Sequence, residues 1–472
     1  MINKINLFLF LLLPFSLIFS FFLADLTVVI IVLSFLYMVI IKKEYEYLNY
    51  RIFFLLIIWS IYLIFVSLNS ADYLFSFESS LFYFRFVIFV FAINYFLSKN
   101  KNLLKNFSIS LFVSFCLLIF DSYFQLFSNS NLFGYQIQEG LYGVRISSFF
   151  DEEKILGSYL SRLSPLLMGL FLIFWKLNIL NSFLFIFFFL FVDSVVFISG
   201  ERSAILYSLI FSCFFIFFSR KVFFLIVIKN ILLIFYVFII LMTFPEINKR
   251  IFQYSNFQND LLQKKQILDS ENLVTEANNK KQISDSENLF IKANNKSNIF
   301  ENFKLRDIIS KSKFYVADVI SFTVQHQVIY ETAVKISDDY FYFGIGPKMF
   351  RKICDDEKYI TRSKIDKTVN GCQTHPHNTY IQVLTECGII GFIFITSLFL
   401  YVIYKIIFLF YRNFSKKIKY KDSLICFYIC FFITLWPIVP TGNFFHNWLN
   451  IIFFLPLAFV ININNKSHEI IN

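Results

Sequence analysis

Long apolar segments dominate this chain of 472 residues and alternate with short polar ones. A run of about 20 apolar residues with few charges has the length of a helix that crosses a bilayer. Lipid offers no hydrogen-bond partner to the backbone, and the alternating pattern of a barrel is absent, so each run predicts a helix. The chain is therefore predicted to be an all-α polytopic membrane protein. The twelve predicted spans are 7–24, 26–41, 52–69, 81–98, 106–127, 156–175, 180–198, 203–219, 229–245, 379–411, 422–438 and 446–463.

One polar segment divides the chain into three regions. Residues 1–245 hold nine predicted spans, residues 246–375 form a large loop, and residues 376–472 hold the last three spans. Within the loop, the insert 265–296 is a tandem duplication, KQILDSENLVTEANNK followed by KQISDSENLFIKANNK, identical at 12 of 16 positions. Two units are too few for a solenoid, so we interpret it as a loosely structured or helical insert without chemistry. After it, apolar residues at helical spacing in 313–337 predict an amphipathic helix.

The positions of Lys and Arg predict the orientation in the membrane. With a cytoplasmic N-terminus, sixteen of them fall in inside loops and three in the short outside loops (Arg145, Lys154 and Arg202). By the positive-inside rule, both termini are cytoplasmic and the large loop is outside, which for a bacterial inner membrane is the periplasm. This topology accounts for most of the net charge of +11, so binding of nucleic acid need not be invoked. The first apolar run lacks a small-residue cleavage site, so we interpret it as a retained anchor.

Two of the seven cysteines lie in the large outside loop. In an oxidising compartment, Cys354 and Cys372 are candidates for a disulfide, although two free thiols are the alternative. A zinc site has less support, because no CxxC spacing occurs and His375 and His377 would need two more ligands.

The segment THPHN comes directly before the tenth span. Pro376 suits the first position of a helix, so we expect His375 to be the N-cap and His377 and Asn378 to lie in the first turn. Backbone N–H groups and the helix dipole favour phosphate there, and the dipole keeps His377 neutral and able to accept a proton. The structural alternative is a pair of ordinary loop histidines that cap the helix.

Two glycines follow on the same predicted helix. At helical spacing Gly388 shares a face with His377, and Gly388 and Gly391 would let another backbone or a lipid chain approach closely. The alternative role for both glycines is ordinary helix packing.

Arginines are scarce on the predicted outer face, which makes Arg202 a candidate for bidentate phosphate binding. The alternative is a residue that snorkels and marks topology. Arg145 has less support, because the acidic cluster Asp151, Glu152 and Glu153 could pair with it. Ionisable residues within spans should face protein or water, and sequence does not show how they pair. They are Arg85, Asp121, Arg162, Asp193 and Lys229.

The segment HNTYIQVLTECGIIG resembles the signature of the O-antigen ligase and O-antigen polymerase superfamily. The signature is His, then Asn, Ser or Gln, nine residues, Gly, two residues and Gly, which His377, Asn378, Gly388 and Gly391 match. A second signature, Arg, three residues and Leu, is matched by Arg202 and Leu206. Twelve spans with one large loop between late spans also resemble the family layout. The insert 265–296 departs from it.

This resemblance implies a metal-independent glycosyltransferase without a cofactor. The implied donor is a glycan on undecaprenyl diphosphate, and the acceptor is lipid A–core or a second lipid-linked glycan. His377 would be the base, with Glu152 or Glu153 as second candidates, and His375 would orient the turn. The diphosphate would be bound by a set of positive or polar groups. This set is Arg145, Arg202, His375 and Asn378.

Three roles share these motifs: ligation of O-antigen to lipid A–core, polymerisation of repeat units, and transfer of glycans to protein. A different class, a transporter or flippase of lipid-linked sugars, is the main alternative; the chain shows no symmetry between halves and no pair of broken spans that would support it. A non-catalytic membrane scaffold would leave His375, His377 and Arg202 unexplained.

Overall fold

The computed structural model describes residues 2–48, 50–140, 143–175, 178–218, 222–249, 323–363, 368–411 and 420–468. Helices dominate these ranges. They are α1 (Ile2–Phe19), α2 (Phe21–Lys42), α3 (Arg51–Leu68), α4 (Tyr73–Ser80), α5 (Phe84–Lys99), α6 (Leu103–Ser128), α7 (Leu156–Phe174), α8 (Ile179–Ile198), α9 (Arg202–Phe218), α10 (Phe223–Thr243), α11 (Pro245–Asn248), α12 (Val324–Asp339), α13 (Phe350–Ile353), α14 (Thr379–Tyr411), α15 (Lys421–Thr434) and α16 (Asn447–His468). One antiparallel hairpin joins β1 (Gln138–Gly140) to β2 (Gly143–Arg145).

The helices have the lengths and surfaces of a membrane bundle. Within the described ranges, nine helical segments are long and apolar enough to cross a bilayer, with α4 and α5 counted as one segment, Tyr73–Lys99. The other three predicted spans correspond to α1 (over Lys4–Phe19), α9 and α15, which are shorter, so the count of twelve stays a prediction. Large apolar side chains face outward along α10, where Phe224 and Ile234 are each more than 70% exposed. Such a surface suits lipid rather than water.

Two predicted span boundaries are wrong. Asp25 was expected to separate the first two spans, but α1 ends at Phe19 and the side chain of Ser20 caps α2. Asp25 therefore lies inside α2, where Arg85 pairs with it at 2.9 Å. The ninth span was expected to begin at Lys229, but α10 begins six residues earlier. A lysine fits inside this helix because the carboxylate of Asp193 on α8 neutralises it.

A small lobe, here called the polar lobe, consists of residues 323–363 and 368–378. Its own apolar core contains Ile329 and Tyr330 of α12 and Phe350 of α13. Cys354 and Cys372 form a disulfide in this lobe, with 4.8 Å between their Cα atoms. Helix α12 covers the second part of the amphipathic helix predicted at 313–337, and the insert 265–296 lies outside the described residues.

Helix α14 is interrupted at Gly388, whose φ of 66° and ψ of −169° are not helical. The backbone of the polar lobe packs here: Ile345 N–H donates to Thr385 O at 3.1 Å, and Ile389 N–H donates to Phe341 O at 2.8 Å. A Cβ atom at Gly388 would lie 2.2 Å from the carbonyl oxygen of Tyr342. Glycine at this motif position therefore permits both the positive φ and the close backbone approach that the sequence predicted.

Candidate active site

The histidine segment is a tight turn rather than the start of a helix. His377 has a φ of 54°, in the left-handed region, and α14 begins only at Thr379. Asn378 is the N-cap, since its side-chain oxygen accepts from the N–H of Tyr380 at 3.0 Å and of Ile381 at 3.2 Å. The predicted helix start at Pro376 with His375 as N-cap is therefore wrong. An asparagine is among the best N-cap residues, and it outcompetes the proline signal.

A loop that the sequence analysis did not single out holds this turn. Residues 435–446 connect α15 to α16, and Thr441 N–H donates to His377 O at 2.8 Å. The side chain of Asn378 donates to Pro437 O at 2.7 Å, and the hydroxyls of Thr379 and Thr441 are 3.1 Å apart. The turn is thus fixed by a partner about 60 residues away in sequence, and the amide of Asn378 is used in the fold.

His375 is held at both ring nitrogens. Nδ1 lies 3.0 Å from the hydroxyl of Thr374 and Nε2 lies 3.3 Å from the carbonyl oxygen of Thr441. The carbonyl can only accept, so Nε2 carries the proton and Nδ1 accepts from Thr374. This geometry favours the orienting role predicted for His375 over its proposed contact with diphosphate.

Three histidine rings meet at this turn. The ring of His377 lies 4.0 Å from that of His375 and 5.9 Å from that of His326, measured between centroids. His326 belongs to the first turn of α12, which Thr323 caps. The sequence analysis missed His326. The scarcity of histidine, five in the chain, was the signal that could have drawn attention to it.

Burial keeps these rings neutral near pH 7. It lowers the pKa of His375 to about 3 and that of His326 to about 4, and it also lowers the pKa of His377. A buried imidazole loses more hydration as a cation than as a neutral ring. His377 is half-buried and keeps its nitrogens free of hydrogen bonds to other described residues, so a neutral, available proton acceptor is present.

Arg202 lies close to this cluster. It is exposed at the first position of α9, and its charge contributes to the lowered pKa of His326. One turn further, Leu206 packs against the core of the bundle. The structure thus brings both signatures together: His326 contacts His377 and lies within electrostatic range of Arg202.

The buried carboxylate near Arg202 is Glu201, another residue that the sequence analysis missed. Its two oxygens accept from the N–H of Gly157 at 2.6 Å and from the N–H and hydroxyl of Ser158 at 3.0 and 2.8 Å, which caps the start of α7. Burial raises the pKa of Glu201 to about 7, and the charge of Arg145 opposes this increase. The segment 199–202 therefore joins α7 to the start of α9, where Arg202 lies.

The two predicted residues of the loop 128–155 occupy different environments. Arg145 ends β2, where it pairs in register with Gln138, and it lies within electrostatic range of Glu201. Glu152, the second candidate base, is exposed beyond a short 3₁₀ helix at Ser148–Phe150. The structure gives Glu152 no contact with the three histidines within the described residues.

Gly391 packs against side chains, unlike Gly388. A Cβ atom there would lie 2.5 Å from the Cβ of Cys387 and 3.0 Å from Val383. A third neighbour, the aromatic ring of Trp59 on α3, would lie 3.5 Å away. The second glycine of the motif therefore serves the packing of α3 on α14.

The site has no metal-binding cluster of the usual kind. Among the residues that the structure describes, no group of three or more His, Cys, Asp or Glu side chains is placed to hold a metal ion. The ring of His377 contacts His326 edge to face at 5.9 Å and His375 in a tilted arrangement at 4.0 Å between centroids.

Comparison with known protein families gives one match. Residues 183–396 match the family model described as O-antigen ligase. The matched segment runs from α8 into α14, so it contains Arg202, His377 and both motif glycines, whereas Arg145 and Glu152 precede it. No curated protein matches the chain.

Proposed function

Because the chain belongs, through residues 183–396, to the O-antigen ligase/polymerase superfamily, we propose that it is an inner-membrane glycosyltransferase of the ligase or polymerase type. It would move a glycan from undecaprenyl diphosphate to an acceptor hydroxyl on the periplasmic side, without a metal ion or other cofactor. The observation that carries this proposal is the neutral ring of His377, with open nitrogens, in one cluster with His326 and Arg202.

The reaction needs a base and a group that stabilises the leaving diphosphate. The acceptor oxygen attacks the anomeric carbon of the donor glycan, and the bond from that carbon to the diphosphate oxygen breaks. The acceptor proton goes to His377, and the electron pair of the broken bond leaves with the undecaprenyl diphosphate. Arg202 supplies a fixed positive charge where negative charge develops on the leaving group. Glu201 positions Arg202 by tying the preceding loop to α7.

An apolar groove in the bundle supports a lipid-linked donor. Two cavities of about 570 and 310 Å³ lie along α6 and α8 and share Phe188. Their walls are almost entirely apolar, with Phe112, Phe120 and Phe191 among the lining side chains. A polyprenyl chain is as apolar as the surrounding lipid, so it can pack against the side chains of such a groove.

Two alternatives remain. Transfer of the glycan to protein uses the same donor chemistry and differs only in the acceptor. A transporter or flippase of lipid-linked sugars would instead need charged groups along a path through the membrane. The buried charges of Asp193 and Lys229 are the observation that favours transport. These two side chains form an ion pair with each other, so their charges are already compensated.

The test is a transfer assay with the purified full-length chain and an undecaprenyl-diphosphate-linked glycan. Lipid A–core, a second donor molecule and an acceptor protein are supplied separately, each with and without a chelator. Arg202→Ala is compared with Arg362→Ala, a matched control because Arg362 is exposed and, among the described residues, pairs with Glu357. Chelator-resistant transfer that Arg202→Ala alone removes supports the proposal. Transport of the lipid-linked glycan across vesicles, without transfer to any acceptor, overturns it.

A further inference from the structure

A buried arginine lies beneath the candidate site and has incomplete hydrogen bonding. Arg162, in the second turn of α7, is 3% exposed. Its Nη2 donates to the hydroxyl of Tyr207 at 3.2 Å, and its guanidinium stacks 4.7 Å from that ring. Its Nε and Nη1 are buried without a hydrogen-bond partner. No carboxylate within the described residues forms an ion pair with it.

A guanidinium cannot discard its charge by deprotonation. An uncompensated buried charge is costly, so a buried arginine with two open donors requires an anion. Within the described residues Glu201 is not hydrogen-bonded to Arg162; its oxygens accept from Gly157 and Ser158 instead. The open donors of Arg162 therefore point to a ligand.

Two tyrosines relate Arg162 to the histidines: Tyr207 contacts Arg162, and Tyr330 lies within electrostatic range of Tyr207. The ring of Tyr330 on α12 lies 6.0 Å from that of His326, and its hydroxyl is also buried without a partner. Burial raises the pKa of Tyr330, and nearby Tyr207 adds to this increase. Tyr207 in turn bonds to Arg162. Helices α7, α9 and α12 thus bring the open donors of Arg162 and Tyr330 near Tyr207.

We propose that Arg162, with the hydroxyls of Tyr207 and Tyr330, forms a buried diphosphate-binding subsite beneath Arg202. The family signatures do not include Arg162, and the matched segment begins after it. Arg202 would contact the phosphate next to the glycan, and Arg162 the phosphate next to the lipid. Helix α7 packs against α6 and α8, which line the apolar groove, so the lipid chain can leave the subsite along these helices. The identity of the anion as a polyprenyl diphosphate rests on the proposed function.

Binding is measured with the purified full-length chain and three probes: undecaprenyl diphosphate, undecaprenyl monophosphate and inorganic pyrophosphate. Arg162→Met removes the donors, Arg162→Lys keeps the charge without the planar donors, and Arg362→Gln is the exposed control. For undecaprenyl diphosphate we expect Arg162→Met to bind about 10- to 100-fold more weakly and Arg362→Gln to bind like wild type. Arg162→Lys should fall between them. The affinity of Tyr330→Phe for undecaprenyl diphosphate should be several-fold lower than that of the wild type.

A ligand-free melting curve separates a binding role from a structural one. If Arg162 stabilised the fold, replacing it would lower the unfolding temperature. Removing an unpaired buried charge does not lower that temperature, so Arg162→Met without ligand should unfold at the wild-type temperature or above it. Unfolding well below wild type, or wild-type affinity in Arg162→Met, overturns the subsite. Equal wild-type affinity for the monophosphate and the diphosphate also overturns it.

Probe choice identifies which part of the ligand is recognised. Pyrophosphate binding that depends on Arg162 supports a site that recognises the anion alone. Binding of the lipid diphosphate only supports a site that also needs the lipid chain. The transfer assay separates this inference from the proposed function. Arg162-dependent binding without any transfer keeps the subsite and rejects the transferase. Transfer with an unchanged KM in Arg162→Met keeps the transferase and rejects the subsite.

Discussion

Lys229 and Arg162 are both cations buried in helices of the bundle, but they differ in their partners. Lys229 on α10 pairs with the carboxylate of Asp193 and donates to the hydroxyl of Ser212 at 3.0 Å. Ser208 donates to the other carboxylate oxygen, so this cluster joins α8, α9 and α10 with its charges compensated. Among the described residues, the guanidinium of Arg162 forms one hydrogen bond, from Nη2, and its Nε and Nη1 have no partner.

The same difference separates two neighbouring histidines. Both ring nitrogens of His375 have partners in the fold, whereas within the described residues the ring of His377 contacts two other histidine rings and forms no hydrogen bond. Polar groups that have hydrogen-bond or ion-pair partners within the fold stabilise it. Polar groups without such partners are available to bind a ligand or to take part in a reaction. The comparison therefore predicts that Lys229 and His375 act on stability, and that Arg162 and His377 act on function.

The largest expected effect is on catalysis. His377→Ala removes the open ring, so transfer should fall about 10²- to 10⁴-fold, the usual contribution of a general base. The unfolding temperature should change little. Initial transfer rates and a melting curve measure the two quantities on the same preparation.

His446→Ala is the matched control for this variant. His446 ends the loop 435–446 and packs edge-on against Phe21 at 5.3 Å between ring centroids. Its charge reaches His375, but within the described residues its ring makes no ring contact with the three-histidine cluster. We expect near-wild-type transfer from this control. If His377→Ala transfers the glycan at the wild-type rate, the open ring is not the base. The difference between His375 and His377 would then not predict function.

The next largest effect is on stability. Lys229→Met leaves the carboxylate of Asp193 buried without its partner, which should destabilise the protein by about 3–5 kcal/mol. The double variant Asp193→Leu with Lys229→Met removes both charges and should regain most of that loss. Thermal unfolding in detergent measures both variants. A single variant as stable as the wild type would contradict the structural role assigned to Lys229.

The fold was largely predictable because lipid restricts the options. Apolar runs predicted α7 at 156–175 and α8 at 180–198, and the helices observed are Leu156–Phe174 and Ile179–Ile198. Where a charged residue seemed to end a span, as at Asp25 and Lys229, the prediction was wrong, because sequence does not show a partner on another helix.

The site was predictable only in part. His377 and Arg202 stand in recognisable motifs, but the groups around them come from distant positions. His326 reaches His377 through the fold of the polar lobe, and Thr441 bonds to the turn from the loop 435–446. Local periodicity contains no information on such contacts. Glu201 was missed for the same reason, and Arg162 was named as an ionisable residue within a span but without its partner, since each contacts residues about 40 positions away.

A smaller effect is expected at Glu201, a satisfied carboxylate. Its pKa in the folded protein is about 7, above the ordinary value of 4.5, so its contribution to stability is full below pH 4.5 and is lost as the pH rises through 7. The loss should be at most about 3 kcal/mol. Glu201→Gln should flatten the dependence of the unfolding temperature on pH between 4.5 and 8. An unchanged slope would show that another group titrates there.

The smallest effect is a shift in the pH profile of transfer. Burial lowers the pKa of His377 below its ordinary value of 6.5, and the reaction needs the neutral ring. As the pH falls, transfer should therefore persist below pH 6.5 and decline only when His377 becomes protonated. Because Glu201 titrates near pH 7, the profile is measured in Glu201→Gln as well as in the wild type. If the rate of transfer falls only below pH 6.5 in both the wild type and Glu201→Gln, the titrating group is His377. A limb centred at or above 6.5 in Glu201→Gln would mean that the ring is hydrated like a surface histidine, and the open histidine would then be an ordinary exposed one.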